Sequence, residues 1–129
     1  MNEVDDARAM LRAADVDLQT LGLMVAAGGF PAASVGLHAQ QCIEKALKAW
    51  LLLTAAETDR THDIGLLLRR LGAIGEDVQR WHRLAEYTPY AGRIRYADPE
   101  TFTERLDAAH ALAEATALYG HVQSLLPPS

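Results

Sequence analysis

Two lysines stand in this chain against ten arginines, and both fall in one segment, His38-Ala-Gln-Gln-Cys-Ile-Glu-Lys-Ala-Leu-Lys-Ala-Trp-Leu51. Lysine carries a compact ammonium where arginine carries a planar fork, so Lys45 and Lys48 mark positions suited to a point charge. Two histidines could move protons near neutral pH: His62, beside Asp63, and His110, five positions after Arg105. Tyr87, Tyr90 and Tyr96 with Arg93 and Arg95 form the densest aromatic and arginine cluster. Such a cluster can stack on a base and pair with phosphate, or simply pack a loop against the protein body. Cys42 is the lone cysteine and no cysteine-histidine cluster exists, so the sequence calls for no disulfide, no metal and no cofactor.

The elements that must position these residues are helical. Half of the 129 residues are apolar but only eight are aromatic, and alanine and leucine dominate, which favours helix over sheet. Apolar residues from Val4 to Val25 recur at three-and-four spacing until Gly28-Gly29, giving a first helix over 4–27. Pro31 suits the first turn of a second helix running to about Leu53. Thr61-His62-Asp63 could cap a short third helix over Ile64 to Leu71, and capping is sufficient reason for Thr61 and Asp63. A fourth helix is expected over Glu76 to Tyr87, with Val78, Trp81, Leu84 and Ala85 buried and Pro89 ending it. After a loop from Tyr90 to Pro99, a last helix is expected from Glu100 to Leu126 through Phe102, Leu106, Ala109 and Ala113, closed by Pro127-Pro128. The sum is an all-α, single-domain protein over 1–129, an up-and-down antiparallel bundle of about five helices.

Charge narrows the partners. A net charge of -5 argues against a generalised polyanion-binding surface, although a local basic cleft stays open. Acidic residues Glu3, Asp5 and Asp6 and the lack of a long apolar run predict neither signal peptide nor membrane span, hence a soluble, cytoplasmic protein.

Wound at 100° per residue, the second helix has two unlike faces. Ala39, Cys42, Ile43, Ala46, Ala49, Trp50 and Leu53 share an arc of about 120°, the width of a core stripe. His38, Gln41, Lys45 and Lys48 share an arc of about 80° on the other side. As a solvated face this needs no function, and Glu44 with Lys48 would be an i, i+4 pair of roughly 0.2–0.5 kcal/mol. As a functional strip it would line a cleft or a partner surface.

The run Gln40-Gln41-x-x-Glu44-Lys45-x-x-Lys48, followed by Thr61-His62-Asp63-Ile64, resembles the HEPN domain (higher eukaryotes and prokaryotes nucleotide-binding). Asp15 and Asp17-Leu18 ahead of Gly28-Gly29-Phe30, and Arg95-Tyr96 after Tyr87 and Tyr90, are also similar to that family, over nearly the whole chain. Where the family often has Arg-Tyr-Pro, Ala97 follows here. The resemblance implies a helical bundle, commonly a homodimer, that pairs with a minimal nucleotidyltransferase and binds a nucleotide or RNA. It makes His38, Gln41, Lys45, Lys48, Arg93, Arg95 and Tyr96 the nucleotide- or partner-binding set.

Some members of the superfamily are metal-independent ribonuclease toxins carrying Arg, four to six residues, then His. No histidine follows Arg93 or Arg95 at that spacing, and His82 stands in reversed order before Arg83. Arg105 and His110 have the spacing. In a helix continuous from Glu100, however, they would point about 140° apart, and Leu106 would be core. The expected function is therefore a non-catalytic nucleotide- or partner-binding module, with the ribonuclease toxin as alternative. Leu21, Leu23, Leu112 and Leu118, beyond one stripe of the first and last helices, favour a homodimer.

Overall fold

The computed structural model describes residues 2–54, 58, 60–92 and 105–128, and four α-helices and one 3₁₀ helix run through them. Helix α1 spans Glu3–Ala27. Asn2 caps it by accepting from the Asp5 amide at 2.9 Å, and Glu3, Asp5 and Asp6 complement the positive end of the helix dipole. Gly28 and Gly29, at φ of 71° and 82°, take left-handed conformations open to glycine and turn the chain. Helix α2, Ala32–Leu53, returns beside α1, with Pro31 as its N-cap residue rather than inside its first turn. At the far end, an Arg8 guanidinium nitrogen donates to the Pro127 carbonyl, fastening the start of α1 to the residues after α4.

Thirteen of the 22 residues of α2 are buried, including Gln40, Glu44 and Lys48, so α2 is the central rod of the bundle. The expectation of one core stripe and one opposed wet face is corrected here. Neighbours cover α2 on more sides than one, and part of its polar strip becomes interior.

Helix α3 is Ile64–Ala73, capped by Asp63, whose Oδ1 accepts from the Leu66 amide at 3.1 Å. The fourth element differs from expectation in type and place. It is a 3₁₀ helix over Gln79–Ala91 that runs through Pro89 rather than ending before it. Its buried residues are Trp81, Leu84, Tyr87 and Tyr90, three apart, which a three-residue turn places on one face. Helix α4 is Ala108–Leu125, with Asp107 as N-cap accepting from the His110 amide at 3.0 Å. The last helix therefore does not pass unbroken through 105–107. Its buried stripe is Ala111, Ala115, Leu118 and Val122, while Ala109 and Ala113 are exposed; Phe102 and the loop arginines lie outside the described residues.

The core lies between α1, α2, α3 and α4, with the 3₁₀ helix closing one side. His121 sits between Trp50 and Trp81, at ring-centroid distances of 4.9 and 5.4 Å, and joins α4 to α2 and the 3₁₀ helix. Leu21 and Leu118 belong to this core and Leu112 is half-buried, so of the four leucines expected at a dimer surface only Leu23 is exposed. Among the described residues no helix is long and apolar enough to cross a membrane.

Candidate functional site

The polar strip of α2 divides into two internal networks. Toward α1, Lys45 Nζ lies 2.6 Å from Asp17 Oδ2 and His38 Nδ1 lies 3.3 Å from Asp17 Oδ1. The α1–α2 turn is centred near residue 29, so Asp17 falls opposite a point between His38 and Lys45. One carboxylate thus holds both side chains against the helix seam.

Toward α3, Glu44 is the hub. Its Oε1 accepts from Gln40 Nε2 at 2.7 Å and from His62 Nδ1 at 2.8 Å, and its Oε2 accepts from Lys48 Nζ at 2.9 Å. Gln40 Oε1 in turn accepts from Gln41 Nε2 at 2.6 Å. Burial alone would raise the Glu44 pKa, but hydrogen bonds from Lys48, His62 and Gln40 hold it below the ordinary value. Among the described residues no buried side-chain nitrogen or oxygen lacks a partner, as a low-dielectric interior requires. Cys42, buried nearby, has its thiol pushed up to about 12 by burial and by Asp17 and Asp15, so it is an unreactive core residue.

This network ends at the surface on His62, which forms the rim of a cleft of about 690 Å³ between the start of α3 and the end of the 3₁₀ helix. Asp63, Gly65 and Arg69 form one wall and Ala85, Thr88 and Pro89 the other. Thr61-His62-Asp63 therefore does two jobs. Asp63 caps α3, as expected, and His62 is anchored by a buried carboxylate at the cleft mouth. Thr88 Oγ1 accepts from the Ile64 amide at 3.1 Å and ties the two walls together. Among the described residues Arg69 forms no ion pair, so its charge is available to a ligand. Gly92 also lines the cleft, and Arg93, Arg95 and Tyr96 lie outside the described residues.

Of the strip, then, none of His38, Gln41, Lys45 and Lys48 lines this cleft; Lys48 supports it through Glu44. The sequence reading missed Arg69 and Thr88. Arg69 carried a signal only in hindsight, falling four residues after Gly65 and so on the same side of α3 by the helical period.

A second, smaller cavity of about 210 Å³ lies between the 3₁₀ helix and the start of α4. Both Arg105 and His110 line it. The expectation that a continuous helix would splay them is corrected: Arg105 precedes the N-cap Asp107, so helical angles do not govern it. Glu114 Oε1 is 3.0 Å from His110 Nε2 and accepts from the Tyr87 hydroxyl at 2.8 Å. Burial, with the Glu114 hydrogen bond, pushes the Tyr87 pKa well up, so Tyr87 serves as a neutral donor.

The HEPN domain model matches residues 7–125, nearly the whole chain. With the helical bundle and the Gln-Gln-x-x-Glu-Lys and Thr-His-Asp elements in place, the chain belongs to the HEPN family. Among curated proteins and solved structures, none matches it.

Proposed function

We propose that this HEPN protein is a non-catalytic nucleotide-binding module that forms a homodimer and acts in the cytoplasm with a minimal nucleotidyltransferase. The observation that carries the reading is the 690 Å³ cleft at the Thr-His-Asp element, with Arg69, which forms no ion pair among the described residues, in its wall. Small-molecule sites have volumes of about 300–1,000 Å³ and a few placed polar groups, and this cleft fits that description. Arg69 supplies a fork for phosphate, His62 is held in one orientation by Glu44, and Arg93, Arg95 and Tyr96 come next in the sequence after Gly92. Lys48 has a positioning role through Glu44, and His38, Gln41 and Lys45 brace the α2 side.

Calorimetric titration with AMP, GMP and CMP tests this. Binding is expected, with Arg69→Ala weakening it by roughly tenfold, the loss of one charge-assisted contact. No binding of any of the three would overturn the nucleotide reading. Co-purification with a minimal nucleotidyltransferase tests the partner.

A second reading, a metal-independent ribonuclease toxin, is favoured by one observation: Arg105 and His110 share a cavity. There His110 would take the 2'-hydroxyl proton while Arg105 faces the phosphate. Glu86, Asp107 and Glu114 line the same cavity, however, and repel a phosphodiester. RNA cleavage in the presence of chelator, lost in His110→Ala, would establish this reading; intact RNA with both proteins is the expected result.

A further inference from the structure

Beside the cleft at His62, and sharing Gly65, Arg69 and Ala85 with it, lies a hollow of about 400 Å³. Leu68, Gly72 and Val78 complete its apolar surface, and His82 stands at its far side. The two hollows are unlike in chemistry. His62, Asp63 and Thr88 belong to the first alone, whereas the second offers apolar groups with only Arg69 and His82 as polar side chains. The Arg69 guanidinium folds back over Gly65, where an added Cβ would stand 3.3 Å from Nη1, so this charge lies at the border of the two.

We infer that the second hollow is the base subsite of a nucleotide whose phosphate lies at Arg69 and the His62 half, and that it accepts a purine ring without distinguishing adenine from guanine. The inference rests on the nucleotide-binding reading above and specifies its ligand class. Discrimination between bases needs fixed donors and acceptors facing the base edge, which reject a mismatched ring strongly because they are left unpaired. The amides of Leu68 and Gly72 are used within α3, and Gly65, Leu68, Gly72, Val78 and Ala85 have no polar side-chain atom. His82 is exposed to solvent and can present either ring nitrogen, so what distinguishes ligands is apolar area and stacking beneath Arg69, which reward ring size rather than edge pattern.

Gly72 gives the test. It has an ordinary helical backbone, and a Cβ there would meet only Val78 Cγ2 at 3.5 Å, so a side chain at 72 enters the hollow without strain in α3. Replacing a helical glycine also favours the helix, here in its last turn. In titrations with the whole protein, AMP and GMP are expected to bind within about threefold of each other, and CMP at least about fivefold more weakly, for its smaller apolar area. Gly72→Leu is expected to weaken AMP and GMP by at least about tenfold with an undiminished melting temperature, and Gly72→Ala to bind as the parent does. AMP and GMP differing by more than about tenfold, or Gly72→Leu binding as well as the parent, would overturn the subsite while leaving nucleotide binding intact. Failure of all three nucleotides to bind the parent protein would overturn both.

Discussion

Gly36 of α2 lies flat against the ring of Tyr90: a Cβ at position 36 would stand 2.1 Å from Tyr90 Cδ1. The contact brings the end of the 3₁₀ helix onto the central helix and so fixes the far wall of the cleft. Gly36→Ala is expected to destabilise the protein by about 1–3 kcal/mol, because the ring must leave a packed core and the helix gain from alanine does not compensate. Thermal unfolding measures this, and a raised melting temperature would show that Tyr90 moves freely.

Lys45 and Lys48 look equivalent in the sequence but have unlike surroundings. The side chains of Lys48 and Glu44 are 11% and 6% exposed, whereas Lys45 is 28% exposed beside Asp17. Lys48→Ala leaves a buried carboxylate short of its cation and is expected to cost about 3 kcal/mol. Lys45→Ala is expected to cost about 1 kcal/mol or less, since solvent screens the pair in part. Chemical denaturation of the two variants decides it, and equal losses would show that burial does not set the difference.

Acid should weaken the Glu44 network. Because the folded-state pKa of Glu44 is below its ordinary value, the carboxylate contributes stability that is present above about pH 4.5 and lost as pH falls through the folded value. Stability plotted against pH should therefore fall below about 4.5, and Glu44→Gln, already weaker at neutral pH, should fall less steeply there. Parallel curves for the two proteins would assign the acid loss to other carboxylates.

Assembly is expected to use the outer face of α1. Val16 and Leu23, seven residues apart and 66% and 73% exposed, share that face. A homodimer buries such a patch, and light scattering at about tens of micromolar should report twice the chain mass. Leu23→Glu should give the monomer without lowering the melting temperature much; a monomeric parent protein would remove the proposal.

The sequence by itself determined the helical class, the limits of α1 and α2 to within a residue or so, a cap for α3 within Thr61-His62-Asp63 and the family. Those are local properties: capping side chains, glycines at a positive φ and apolar period depend on near neighbours along the chain. The spacing 81, 84, 87 and 90 also held the 3₁₀ face, but the expected α-helical period selected Val78 and Ala85 instead. What only the tertiary structure decided was which polar residues become interior. Helical period says that His38, Gln41, Lys45 and Lys48 share a side, not what covers it. Asp17, 21 residues before His38, and His62, 18 residues after Glu44, do the covering. The cleft is likewise non-local, since Arg69 and Thr88 meet only because α3 packs on a 3₁₀ helix held by Gly36 and Tyr90. Periodicity assigns residues to faces, and the contacts between faces, set by packing across distant segments, assign them to sites.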